Sequence, residues 1–196
     1  MKKSSAIYGV SLLCFICFST QLASQRYTLD QGHTYVGFSV ERFLVGEVVG
    51  RFDTLDASLS MQGEDFTSLK FNCTIDVNSI NSNNPTRDGH LKGTMWLDAS
   101  NYPEINFKAS RIEKKGDGYI VHGAFTIKGV TKIVEFPVTL LGPFKDPTQK
   151  TAIGIQAKFT INRFDYGISF NKKMDNGSFF IGETVGITIR ALAYQE

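Results

Sequence analysis

Leu69-Lys70-Phe71-Asn72-Cys73-Thr74-Ile75-Asp76-Val77 is the stretch that decides the fold of this chain. Apolar side chains at Leu69, Phe71, Cys73, Ile75 and Val77 alternate with Lys70, Asn72, Thr74 and Asp76. Successive strand residues point to opposite faces, so this pattern is a β-strand with one packed and one wetted face. The pattern repeats at Val36, Phe38 and Val40, and at Ile105, Phe107 and Ala109. It returns at Tyr119, Val121, Phe125 and Ile127, where Gly123 marks a bend or a close approach. Val134 to Leu140, Ile153 to Ile161 and Ile181 to Ile189 complete the series. Val48 to Met61 is strand-like too, and its change of apolar parity near Leu55 predicts a bulge or break.

The links between these runs carry turn chemistry. Lys114 to Gly118 predicts a hairpin loop, Gly142-Pro143 to Pro147 a longer connection, and Asn162 to Gly177 the longest loop. One segment departs from the strand pattern. Asn83-Asn84-Pro85 offers a cap followed by proline in the first helical turn, which predicts a short helix from about Pro85 to Met95. A second turn is expected over Asp98 to Tyr102.

Seven to nine alternating strands with mostly short links imply an all-β antiparallel sheet, as a sandwich or a closed barrel. Closure removes exposed edges, and about eight strands leave room for side chains or one slender ligand. Periodicity leaves both a solid and a hollow interior open.

Composition narrows the function. Of 196 residues, 42% are hydrophobic and 20% charged, an ordinary globular balance. Residues 1–25 have Lys2-Lys3, an apolar run from Ala6 to Phe18, and small residues at Ala23 and Ser24. This is the pattern of a cleaved signal peptide, with the cut between Ala23 and Arg26, leaving residues 26–196 as one domain. Its loss takes 21 basic residues to 19, against 19 acidic ones, and a neutral surface gives no field to gather nucleic acid. Only Cys73 then remains, so no internal disulfide can form. No later stretch is apolar enough for a membrane helix, so the domain is expected not to be membrane-embedded.

Catalytic signatures are lacking. No Gly-x-Ser-x-Gly, phosphate-cradling loop or paired-carboxylate motif is present, and no cofactor is expected. His33, His90 and His122 are far apart, and His122 has polar-face parity, so no metal site and no enzyme is expected. His33 and His90 are expected to hydrogen-bond the barrel start to the helical insertion, with Asp88 able to orient His90.

Several separated motifs run in order along the chain. They are Asp30-Gln31-Gly32-His33-Thr34, Val36-Gly37-Phe38-Ser39-Val40, Val49-Gly50-Arg51-Phe52 and Ser79-Ile80-Asn81. Arg87-Asp88-Gly89-His90-Leu91, Trp96-Leu97-Asp98 and Tyr102 to Phe107 follow, then Phe125 to Thr131 and Ile161 to Gly167. In these the chain resembles the YceI-like family of exported polyisoprenoid-binding proteins, over roughly residues 27 to 194. The resemblance implies an eight-stranded, lipocalin-like antiparallel barrel with a short helical insertion. It also implies an apolar tunnel for an isoprenoid lipid, such as a polyprenyl phosphate or a quinone, and a periplasmic or secreted protein, often a homodimer. Arg42-Phe43-Leu44 stands where the family often has His-Leu-Gly, and Gly89 and Trp96-Leu97 also depart from its usual residues.

An isoprenoid tail needs only apolar walls, each CH₂-sized unit gaining about 0.8 kcal/mol on leaving water. The expected lining is Val36, Phe38, Val40, Phe71, Ile75, Trp96, Phe107, Phe125, Phe136 and Phe159. An anionic head favours arginine or a helix start, which nominates Arg42, Arg51, Arg87 and His90. A fatty-acid or amide binder, and a solid barrel acting in stress-related interactions, are the alternatives.

Overall fold

Alternation of period two becomes eleven strands in a computed structural model that describes residues 23–196; the expected signal peptide falls largely on residues 1–22, outside the described residues. The strands are β1 (Ser24–Leu29), β2 (Tyr35–Arg42), β3 (Gly46–Phe52), β4 (Leu55–Gln62), β5 (Asp65–Asp76) and β6 (Ile80–Asn81). After the insertion come β7 (Glu104–Lys115), β8 (Gly118–Ile127), β9 (Val130–Lys145), β10 (Thr151–Asn162) and β11 (Ile181–Gln195). All named pairings are antiparallel, and β11 returns to pair with β1 at Leu29↔Ala193. The closed ring is β1-β4-β5-β7-β8-β9-β10-β11, eight strands, within the seven to nine that alternation predicts and as the family resemblance implies.

The other end of the barrel is built by continuation. Along β11, β2 takes over from β1 after a 3-10 turn at Gln31–His33, pairing Phe38 with Ile187. The break expected near Leu55 separates β3 from β4 at Asp53-Thr54. On this side β3 pairs with β2 and the two-residue β6, but not with β7. The gap is bridged by the insertion between β6 and β7. Its helix α1 (Pro85–Lys92) is capped by Asn84, whose side chain accepts from the Arg87 amide. It ends at Lys92, three residues before the expected Met95, because Gly93 leaves the helical conformation while its amide still reaches the His90 carbonyl. The turn at Asp98 to Tyr102 forms as expected, and Val77 donates to the Pro103 carbonyl to seat its exit.

The expected connection at Gly142 to Pro147 forms later and shorter. Strand β9 continues through Gly142-Pro143 to Lys145, because a register shift between Ala152 and Gly154 absorbs the proline that cannot donate. Asp146 then organises the loop by accepting from the Thr148 and Lys150 amides.

Two apolar clusters fill the inward face. At the closed end, Tyr27, Leu59, Met61, Phe66, Val121, Phe136 and Ile153 are buried together. At the insertion end the cluster includes Val36, Ile75, Ile105, Phe125, Tyr166 and Ile187. Gly123 is the expected close approach, since a Cβ there would lie 2.5 Å from the Phe107 ring. Ile153 is fully buried at the closed end. Ile153→Ala is expected to lower unfolding free energy by about 2–5 kcal/mol, read from denaturant midpoints at unchanged slope.

Candidate functional site: an apolar cavity at the insertion end

Between the two walls that β7 and β3 leave unpaired, the barrel encloses a cavity of about 120 Å³ that exposes only hydrocarbon. Strand β2 contributes Val36, Phe38 and Val40, β5 Ile75, β8 Phe125, and β11 Val185 and Ile187. The insertion adds Leu91, Trp96 and Leu97. Six of the expected lining residues therefore meet here: Val36, Phe38, Val40, Ile75, Trp96 and Phe125.

The other four do not line this cavity. Phe71, Phe107, Phe136 and Phe159 face inward but pack on one another as an aromatic floor below it. Phe136 and Phe159 stack with centroids 4.1 Å apart, Phe107 lies 5.5 Å from Phe136, and Phe71 lies 5.3 Å from Phe107. Ring-on-ring packing satisfies these side chains without a guest, which a period-two pattern cannot foretell. The interior is thus neither solid nor a through-tunnel. Phe71, Phe107 and Phe159 are nevertheless only partly buried, so space persists around the floor.

The expected head-group residues separate. Arg42 stands at the mouth, next in the inward series after Val36, Phe38 and Val40. Its guanidinium lies over the rings of Phe43 and Phe180, and its Nε is buried with no hydrogen-bond partner. Arg51 points away from the lumen and pairs with Asp53 at 2.6 Å. Arg87 is tied to Ser82, donating to its hydroxyl and carbonyl, so it braces the insertion instead of facing the cavity. His90 is exposed on α1.

The histidine link expected between barrel and insertion is absent as well. His33 Nδ1 pairs with Asp30 Oδ2 at 2.7 Å, a contact that lowers the pKa of the Asp30 carboxyl. Asp88 accepts from the Ser82 amide and hydroxyl and does not orient His90. His122 lies on the outer wall beside Glu113 and Glu135, and its hydrogen bond lowers the pKa of Glu113. Among the described residues, no group of three or more His, Cys, Asp or Glu could hold a metal ion.

Sequence reasoning missed Arg163, a buried arginine in the cavity wall. Its signal was visible in hindsight: it continues the inward series Ile155, Ala157, Phe159, Ile161. Nε donates to the Gly182 carbonyl at 2.9 Å, Nη1 to Ile168 at 2.7 Å and Nη2 to Ile181 at 3.1 Å. The Phe164 ring covers its cation, and burial lowers its pKa while Glu183 opposes this. Arg163 thereby ties the loop after β10 to the start of β11. That loop returns over the mouth, where Phe170 stacks on Trp96 at 5.1 Å.

Comparison with known proteins gives one answer. The YceI-like domain model matches residues 27–193. A UPF0312 protein of Staphylococcus aureus strain N315 is 32% identical over 161 residues, spanning 82% of this chain and 92% of that relative. The Campylobacter jejuni YCEI protein superposes with a TM-score of 0.65 at 28% identity, covering 87% of this chain and 98% of that one. A polyisoprenoid binding domain from Saccharophagus degradans shares the fold, with a TM-score of 0.62 at 16% identity and coverage of 87% and 98%.

Two outcomes follow from this geometry. Arg163→Leu strands three carbonyls, at about 1–3 kcal/mol for an unsatisfied buried group. It is expected to lower the melting temperature and to speed hydrogen exchange over residues 168–182; Arg163→Lys does not rescue it, since one ammonium cannot span the fork. Burial, aided by Asp56, pushes the Cys73 thiol up to about 11. Native Cys73 is expected to resist Ellman's reagent at pH 8. Because the folded state holds that proton longer than the unfolded chain, its contribution to stability is lost as pH rises from about 9 to 11.

Proposed function

The chain belongs to the YceI-like family, and from that premise we propose that it binds a long-chain isoprenoid lipid, of polyprenyl phosphate or quinone type, as a carrier or store. The observation that carries this reading is the hydrocarbon-only cavity with its mouth at the insertion. A dry cavity of that kind rejects water and accepts apolar guests; one on the order of 150 Å³ holds a benzene-sized molecule. As the rings stand, the cavity seats the end of a tail. Rotation of the partly buried Phe71, Phe107 and Phe159 would lengthen the path for more of it. Each further CH₂-sized unit contributes about 0.8 kcal/mol toward such rearrangement.

The relative from Saccharophagus degradans, described as polyisoprenoid binding, supports the same class of ligand. Arg42 suits the anionic head of a polyprenyl phosphate. It sits at the mouth with an Nε that lacks an acceptor, and a phosphate oxygen would supply one. The signal-like pattern of residues 1–25 supports a periplasmic or extracellular setting for this binding. No step of the reading requires catalysis.

Protein isolated from its native host is extracted with organic solvent and the extract is read by mass spectrometry. A stoichiometric prenyl lipid is expected; a fatty acid or amide in its place would transfer the site to that class. Trp96 is the single tryptophan and lines the cavity, so added polyprenyl phosphate is expected to change its fluorescence saturably. Val185→Phe fills the cavity and is expected to weaken uptake about tenfold, or about 1.4 kcal/mol. No extracted lipid together with no Trp96 response would overturn the proposal.

A further inference from the structure

We propose that the cavity end of the barrel docks on the surface of an anionic phospholipid bilayer, led by the tip of the β2–β3 hairpin. The tip reads Arg42-Phe43-Leu44-Val45-Gly46. Phe43 is 44% exposed, Leu44 49% and Val45 94%, three consecutive apolar side chains held in water. Phe43 and Leu44 adopt left-handed backbone angles, φ 53° and 66°, which non-glycine residues seldom take. A tight polar turn would relieve both costs, yet the chain keeps an apolar one. Met95, 58% exposed, adds a fourth apolar side chain beside the cavity-lining Trp96.

The same end carries cations. Phe43 packs edge-on against Phe180 at 4.1 Å, and Arg42 and Lys172 both lie over the Phe180 ring. Lys173 lies over Phe179. The three segments around the mouth, residues 42–46, 91–96 and 169–174, contain Arg42, Lys92, Lys172 and Lys173 and no acid. Glu41 and Glu47, paired across the outward face of the hairpin, Asp175, and the exposed Glu183 at the start of β11 flank them. Protruding apolar side chains among basic ones are the composition that enters the headgroup layer of anionic membranes. The tip also adjoins the cavity, since Arg42 pairs with the cavity-lining Ile181. Docking there would bring the mouth against the phase from which an apolar guest comes. The surface itself does not require any cargo.

The test is flotation of the full protein with vesicles of phosphatidylcholine and phosphatidylglycerol in equal parts, free of prenyl compounds. Wild type is expected to float with these, less with phosphatidylcholine alone, and less as ionic strength rises. The combined variant Leu44→Asn, Val45→Ser leaves Phe43 on Phe180 and under Arg42, puts a residue that tolerates the left-handed turn at position 44, and is expected to bind about tenfold less or weaker still. Its melting temperature and Trp96 response should be unchanged, which separates loss of docking from loss of folding or of cargo binding. Lys172→Glu with Lys173→Glu should remove the preference for phosphatidylglycerol. Failure of wild type to float, or equal flotation of the apolar-tip variant, would overturn the proposal. So would a wild-type dimer in light scattering that the tip variant dissociates, because a second copy would then cover the patch.

Discussion

A sheet that closes on itself must dispose of its interior, and every feature of this molecule answers to that constraint. The pairing of β11 with β1 completes the ring and leaves no edge there, but it also fixes a lumen of eight-strand width. Void in a protein interior forfeits packing contacts, so it is filled unless something keeps it open. At the closed end the chain fills it with rings, and small inward residues make room for them. Gly123 lets Phe107 approach, while Ala57, Ala109 and Ala191 also face this cluster. At the other end the ring is incomplete, because β3 and β7 do not pair. There the insertion and the loop after β10 act as walls, and the cavity lies between them.

The polar groups of that open end concern position more than chemistry. Arg163 spends its donors on three carbonyls and so determines where the returning loop begins and ends. Ser82 and Asp88 play the matching role for α1, with Arg87 as brace. The Trp96–Phe170 stack joins the two supported segments above the cavity. Arg42 is different: its Nε is buried and unsatisfied, an expensive state for a charged group unless a partner arrives. One end of the barrel thus combines an apolar interior, a cation at the rim and exposed apolar side chains.

Much of this was legible in the residues. Strict alternation at Leu69 to Val77 and its repeats is a local property with one structural meaning, so the strands could be read directly, whereas closure, which alternation left open beside a sandwich, came from the family resemblance. The parity change near Leu55 marked a true break. Depth along the barrel axis was not legible, because alternation reports which face a residue occupies and not which layer. That is why Phe38 and Phe136, equivalent by pattern, belong to the cavity and the floor respectively. Long-range partners were equally hidden. Arg51, Arg87 and His33 each have neighbours close in sequence that occupy them, whereas Arg163 is held by residues from Ile168 to Gly182. A lone arginine ending an inward series is the trace that both Arg42 and Arg163 leave.

A crystal structure of the protein grown with a polyprenyl phosphate decides whether the insertion-end cavity receives the tail of an apolar chain. Continuous density is expected to enter beside Trp96 and pass Val185 and Ile187 toward Phe125, with the aromatic floor displaced in proportion to the length that enters. Density for the lipid only on the outer wall, with Trp96, Phe125 and Ile187 closed over an unchanged empty cavity, would contradict tail binding there.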